Sequence, residues 1–116
     1  MRKHHKLLAW QESIKLVKQV YEISSHYPKE ELYGLTSQMR RAAVSVPSNI
    51  AEGAARDSST EFARFLVISR GSLSELETQL LIAKELGYDQ NDKLFEQIDR
   101  VFALLGGLLK SVRSKA

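Results

Sequence analysis

Residues 42–53 read AAVSVPSNIAEG, and this stretch decides the fold because it contradicts its own helical pattern. Ala42, Val46 and Ile50 recur every four residues, which is the spacing of one buried helix face. Pro47 lies within that pattern, where a proline removes one backbone hydrogen bond and costs about 3 kcal/mol. A proline inside a helical pattern is typical of closely packed or functional regions, so this stretch is the first candidate for a functional site.

The helical pattern extends beyond this stretch. Upstream, Leu35 and Met39 continue the same apolar face. We therefore predict one helix over residues 33–55, kinked near Pro47, rather than two separate helices. Gly53 is tolerable there because it lies near the end of that helix.

A first helix is predicted over residues 7–26, with an unusually wide apolar face. Two stripes run along it at spacings of three and four. The first stripe is Leu7, Trp10, Ile14, Val17 and Tyr21, and the second is Leu16, Val20, Ile23 and Tyr27. Tyr27-Pro28 ends the helix, because the residue before a proline disfavours the helical conformation.

Two further helices complete the chain. Ser58 and Glu61 form a capping box that starts a helix over residues 59–86. The last helix, over residues 91–112, again carries two stripes, namely Leu94, Ile98, Val101, Leu105, Leu108 and Val112, and beside them Phe95, Phe102 and Leu109. Four amphipathic helices joined by short polar turns predict an all-α, up-and-down four-helix bundle, with residues 1–116 as a single domain.

The doubled stripes of the first and last helices predict self-association. A bundle helix needs about one apolar seam for its own core, so a second seam leaves apolar surface for a partner. The alternative is that the second stripes only widen a thick core around the aromatic residues. We favour a homo-oligomer held by the second stripes and by residues 42–53, in which a charge at Phe102 or Leu109 lowers the subunit number before it unfolds the bundle.

Composition excludes several classes of protein. The chain has no cysteine and three histidines, which leaves no disulfide framework, no thiolate nucleophile and a poor supply of transition-metal ligands. No apolar run is long enough to span a bilayer, and the run after the basic start is too short for a signal peptide. We therefore expect a cytoplasmic protein that makes no use of a membrane.

The net charge of +3 is unevenly distributed. Residues 1–6 and 110–116 hold six basic residues and no acid, whereas residues 7–109 sum to −3. Basic tails are weaker support for nucleic-acid binding than a basic stripe on a folded face. The sequence leaves open whether the tails, residues 1–6 and 113–116, are ordered.

No constellation for catalysis or metal binding is recognisable. A di-iron bundle needs Glu-x-x-His pairs on facing helices, and none occurs. Glu22 and His26 are four residues apart, but His26 is better explained as a helix-end residue facing the negative end of the dipole. There is no phosphate loop, no dinucleotide fingerprint and no serine beside a base. We expect no enzymatic activity, no metal, no cofactor and no small-molecule substrate.

One polar set stands out on the second and third helices. Its members share one side of each helix and are Gln38, Ser45, Asn49 and Glu52, with Ser72, Glu75 and the neighbouring Glu77. They predict either a polar pocket or a structural network, which satisfies backbone that Pro47 frees or fixes the register of an interface. We favour the structural network.

Five arginines on the same two helices are the candidates for nucleic-acid contacts, since a guanidinium fork matches phosphate oxygens. They are Arg40, Arg41, Arg56, Arg64 and Arg70. The excess of basic over acidic residues in this segment is modest, because residues 40–70 also hold Glu52, Asp57 and Glu61. A ring of identical subunits would multiply such a weak site through avidity.

An ordered set of short motifs gives the chain a family resemblance. The motifs are Tyr21, Tyr27-Pro28, residues 31–38 (ELYGLTSQ), Arg40-Arg41, residues 42–53, Phe65, Gly71-Ser72-Leu73 and Glu75-Leu76-Glu77. Over roughly residues 7–110 the chain closely resembles the bacterial 23S ribosomal RNA intervening-sequence proteins, also called four helix bundle proteins. The resemblance implies a four-helix bundle, a closed homo-oligomeric ring that is a pentamer, and kinship with the nucleic-acid-binding accessory variability determinant of diversity-generating retroelements. It implies no settled biochemical activity.

We therefore expect a non-enzymatic homo-oligomer that binds RNA or DNA through backbone contacts. The alternative is a protein-interaction scaffold, whose ring presents its acidic body or apolar edge to a partner such as a polymerase or reverse transcriptase. A continuous positive belt on the assembled surface favours the first function, and scattered charge favours the second.

Overall fold

A computed structural model describes the whole chain, residues 1–116. It contains four α-helices, α1 (Leu8–Ser24), α2 (Leu35–Ala54), α3 (Ser59–Glu85) and α4 (Asp92–Arg113), with short 3-10 turns at Lys3–Lys6 and Lys29–Glu31 and no strand. The predicted all-α fold and its four helices are confirmed, and each boundary differs from its prediction by at most two residues. Helix α2 continues through Pro47 without interruption.

The helices form an up-and-down bundle. Helices α1 and α3 each pack on both α2 and α4, and no contact crosses the diagonal. The result is a rod 45 Å long and 23 Å in each other direction. Because consecutive helices are antiparallel, residues 1–8, 54–59 and 110–116 lie at one end of the rod, which we call the terminal end. Residues 25–34 and 84–93 form the opposite loop end. No helix combines the length and apolar character needed to cross a membrane.

One contiguous apolar core runs along the rod. Every helix contributes wholly buried side chains to it, such as Leu16, Met39, Leu73 and Ile98. Burial of apolar surface is the main favourable term in folding, so this core is what holds the four helices together.

The two apolar stripes of α1 divide between core and surface. Leu16 and Val20, from the second stripe, are wholly buried, whereas Ile14 and Tyr21, from the first stripe, are each 44% exposed. The sequence therefore correctly predicts a spare apolar seam on α1. That seam is the first stripe, because the second faces the core.

Helix α4 keeps no spare seam, which corrects the prediction made from its second stripe. Leu109 is only 3% exposed and belongs to the core, while Phe95 and Phe102 are half-buried against it. No large apolar side chain of α4 is exposed. The second stripe thus widens the core, and a charge at Leu109 would unfold the bundle before it could act on an interface.

The amino-terminal tail folds back on the bundle. Its 3-10 turn packs on α1 and α2. The rings of His4 and His5 lie with their centroids 5.1 Å from that of Trp10, and Lys3 Nζ lies 5.1 Å from the centre of the Phe62 ring. The order of this tail, which the sequence leaves open, follows from these aromatic contacts.

Candidate nucleic-acid interface

The seam between α2 and α3 holds a hydrogen-bonded polar network. The hydroxyl oxygens of Ser45 and Ser72 are 2.8 Å apart across the seam, and the Asn49 amide donates to both the hydroxyl and the carbonyl of Ser45 at 2.8 Å. Nearby, the buried Ser69 hydroxyl donates to the Val46 carbonyl at 2.9 Å. The Ser45–Ser72 and Ser69–Val46 bonds tie α2 to α3, and all of these bonds give partners to side chains that would otherwise be desolvated without them.

The network does not replace the hydrogen bond that Pro47 removes. A proline at this position frees the carbonyl four residues earlier, that of Ala43. The donors of Asn49 and Ser69 instead reach the carbonyls of Ser45 and Val46. Neither side chain therefore bonds the freed carbonyl: Ser69 joins α3 to α2, and Asn49 bonds within α2.

A polar cleft of about 370 Å³ opens beside this network. It is lined by Gln38, Arg41, Ala42, Ser45, Ser72 and Glu75. The structure thus brings together four members of the predicted polar set. Asn49 adjoins them through Ser45, whereas Glu52 lies apart and pairs with Arg56 at 3.2 Å.

The five candidate arginines do not form one surface. Arg40 covers the Tyr21 ring, with its guanidinium carbon 4.6 Å from the ring centre, and donates to the Ser24 hydroxyl at 2.9 Å. Its guanidinium therefore joins α1 to α2. Arg41 is exposed at the polar cleft and Arg70 is half-buried, and neither has an ion-pair partner.

Arg56 and Arg64 flank the ring of Phe65 close to the terminal end. Their guanidinium carbons lie 4.9 and 4.6 Å from the ring centre. Arg64 donates to both carboxylate oxygens of Glu61, at 3.0 and 3.3 Å, and this hydrogen bonding lowers the pKa of Glu61 and raises the pKa of Arg64. Both arginine–glutamate pairs are exposed, and exposed pairs contribute little to stability. These two pairs therefore hold their arginines only weakly.

Antiparallel topology brings both basic tails to this same end. The residues concerned are Arg2, Lys3, Lys6, Lys110, Arg113 and Lys115. Lys3 and Arg56 line one shallow cleft of about 290 Å³, together with Asp57, Ser58, Ser59 and Phe62. Apolar periodicity does not reveal this convergence, although an even number of antiparallel helices necessarily places the two chain ends side by side.

The loop end carries the opposite charge. Three lysines, Lys29, Lys84 and Lys93, face five acids, Glu30, Glu31, Glu85, Asp89 and Asp92. There the Tyr88 hydroxyl donates to Glu31 at 2.8 Å, and the hydrogen bond raises the pKa of Tyr88. The rod therefore has a basic terminal end and an acidic loop end.

The one buried carboxylate, Glu12, has a structural role. It accepts hydrogen bonds from Lys15 at 2.8 Å and Arg100 at 2.7 Å, and these two cations lower its pKa to about 2. The Gln97 amide also donates to the Glu12 backbone carbonyl at 2.8 Å. Glu12 thus stays ionised near neutral pH and ties α1 to α4. No group of three or more histidine, aspartate or glutamate side chains is arranged to hold a metal ion.

One family model matches most of the chain. It is described as 23S rRNA-intervening sequence protein and matches residues 5–107. No curated protein matches the chain. The matched range includes the polar network, Arg56 and Arg64, but ends before the basic carboxyl-terminal residues.

Proposed function

Because the chain belongs to the family of 23S rRNA-intervening sequence proteins, we propose that it is a non-enzymatic homo-oligomer that binds the phosphate backbone of RNA or DNA through its basic terminal end. The observation that carries this proposal is the convergence of both basic tails with Arg56 and Arg64 at one end of the rod. Cations that contact phosphates release condensed counterions, which favours binding without regard to base sequence.

The proposed contact surface differs from the one that the sequence favours. Arg40 is held by Tyr21 and Ser24, and Arg41 shares its cleft with the carboxylate of Glu75. The tails, in contrast, contain no acid. The terminal end, residues 1–8, 54–59 and 110–116, thus holds seven basic residues and one acid, Asp57.

The oligomer that we propose is a closed ring, and the family resemblance favours a pentamer. In any cyclic assembly, equivalent points of all subunits lie on one circle. The basic terminal ends would therefore form a single positive belt. Several weak contacts on one belt act together on a long polyanion, so the assembly gains avidity that one subunit lacks.

A titration with duplex DNA and with structured RNA at two salt concentrations tests this function. The variant Arg56→Ala/Arg64→Ala should bind all sequences more weakly, and each lost phosphate contact should flatten the salt dependence of binding to duplex DNA by about 0.9 in logarithmic slope. The control Lys29→Ala/Lys84→Ala removes the same charge from the loop end and should bind as the parent does. Equal weakening of both variants would show that net charge alone matters.

A protein-interaction scaffold is the second candidate function, and the loop end favours it. Tyr33 is 93% exposed there, Leu32 and Leu86 are exposed at the same end, and aromatic residues are enriched at the cores of protein interfaces. Absence of nucleic-acid binding by the parent at low salt would favour this scaffold over the first proposal.

A further inference from the structure

Most of the large apolar side chains that the bundle leaves exposed lie on two surfaces. The first is a groove of about 320 Å³ between α1 and α2, which we call the α1–α2 groove. Its lining is mostly apolar and includes Trp10, Ile14, Val17, Val44, Pro47 and Ala51. Ile14 and Val44 are exposed on its walls, and the exposed ring of Tyr21 continues the α1 wall by one further turn.

The second surface is a row on the outside of α3, which we call the α3 ridge. Val67, Ile68, Leu81 and Ile82 are its exposed apolar side chains. Between them lie small residues at helical spacing, including Gly71, where an added Cβ would meet no atom within 4 Å. The centre of the ridge is therefore low, and a neighbouring helix can approach it closely.

The two surfaces match in length. At 1.5 Å of rise per residue, the α1 wall from Trp10 to Tyr21 extends about 17 Å, and the ridge from Ile68 to Leu81 extends about 20 Å. They can therefore pack along their whole lengths.

The two surfaces also carry opposite charge. Lys18 and Arg41 lie exposed and unpaired beside the groove, with Arg40 over Tyr21 and Glu22 as the acid nearby on α1. Glu75 and Glu85 lie exposed and unpaired along the ridge, with the half-buried Arg70 as the cation nearby on α3. Glu75 also borders the polar cleft of its own chain, as Arg41 does. The ion pairs of the bundle involve none of these four unpaired groups. Opposite charges around an apolar contact favour one partner and one register.

We propose that the α1–α2 groove binds the α3 ridge of a second copy of this chain. The inference rests on the proposed homo-oligomer and names the surfaces that hold it together. Because the groove and the ridge are different surfaces, the contact is head-to-tail, and each added copy again presents one free groove and one free ridge. Glu75 of the ridge lines the polar cleft between α2 and α3 together with Arg41, so the ridge turns towards α2 and the two surfaces are not on opposite sides of the bundle. Successive copies therefore turn and can close into a ring.

Two single substitutions test the contact. Val44→Glu places a charge in the groove and Ile82→Glu places one on the ridge, at side chains that are 40% and 46% exposed. Each variant alone should sediment as a monomer while the parent sediments as an oligomer. The control Leu32→Glu, at a similarly exposed apolar residue of the loop end, should keep the mass of the parent.

Mixing the two variants identifies the contact as head-to-tail. The Val44→Glu chain keeps an intact ridge and the Ile82→Glu chain keeps an intact groove, so an equimolar mixture should form a dimer and nothing larger. Since the chain has no cysteine, Val44→Cys and Ile82→Cys chains joined by a short bismaleimide provide a second readout. The mixture should cross-link and either variant alone should not.

Each alternative outcome overturns a distinct statement. If one variant dissociates and the other keeps the mass of the parent, the contact joins like surfaces and the head-to-tail inference fails. If the parent is an oligomer and both variants keep its mass, this inference fails while the proposed oligomer stands. A monomeric parent at micromolar concentration refutes both. Ile14→Glu and Leu81→Glu, both at exposed positions, replace any variant whose circular dichroism shows unfolding.

Discussion

At the scale of single residues, the most consequential polar side chain is Glu12. Its carboxylate is 7% exposed and is held by Lys15 from its own helix and by Arg100 from α4. A buried carboxylate is costly unless it is paired and hydrogen-bonded, and Glu12 is both. The apolar stripes of the sequence do not include Glu12, and they cannot reveal its partner, since Arg100 is 88 residues away.

Glu12→Gln should lower the free energy of unfolding by about 1 kcal/mol at pH 7, because it replaces charge-assisted hydrogen bonds with neutral ones. The folded pKa of about 2 lies below the usual 4.5. The stabilisation is therefore fully present above about pH 4.5 and is lost as the pH falls towards 2. Thermal unfolding measured from pH 7 to pH 2 should show parent and variant converging at the acid end. Glu22→Gln, at an exposed and unpaired position of the same helix, should change nothing, and a constant difference at all pH values would contradict the assignment.

At the scale of helices, α2 and α3 form the closest pair of the bundle. Gly53 allows this approach, since a Cβ there would lie 2.7 Å from the Cβ of Phe65. The Ser45–Ser72 and Ser69–Val46 hydrogen bonds continue the contact along the seam. Helical spacing predicts which polar residues share one side of each helix, and four of them indeed meet at one cleft. It does not predict that the Glu52 side chain turns away from this cleft towards Arg56, because the position of a residue on a helix does not fix the rotamer of its side chain.

Gly53→Ala should destabilise the bundle by about 1–3 kcal/mol, since overpacking against Phe65 forces the helices apart. Helix propensity alone gives the opposite sign. Gly106→Ala on α4 is the matched control, because an added Cβ there meets no atom within 4 Å, and it should stabilise by about 1 kcal/mol. Chemical denaturation of the two variants measures both values, and a stabilised Gly53→Ala variant would show that the seam can widen freely.

At the scale of the whole molecule, topology separates charge along the rod. Both tails contribute to the same basic end, opposite five acids at the loop end. Charge concentrated at one end produces a stronger local field than the net charge of +3 spread over the surface would.

Replacing Lys110, Arg113 and Lys115 together by alanine should weaken nucleic-acid binding and flatten its salt dependence, because three cations leave the proposed contact surface. The matched control replaces Lys29, Lys84 and Lys93 at the loop end, so the net charge changes equally. Fluorescence anisotropy with a labelled duplex at two salt concentrations measures both variants. If the loop-end variant loses more affinity for nucleic acid than the terminal-end variant, the nucleic acid contacts the loop end and the proposed contact surface is wrong.

The amino-acid sequence by itself determined the four helices, their boundaries and the bundle, because apolar spacing and capping residues are local signals that need no knowledge of neighbours. It also determined that α1 has an apolar stripe to spare. Only the tertiary structure decided which stripe of α1 faces the core. It also decided that the second stripe of α4 packs against that core and that the Arg40 guanidinium covers the Tyr21 ring. Only topology brought the two basic tails together. These outcomes depend on which side chains meet across helices, and the contacts join residues far apart in the chain, where periodicity carries no information.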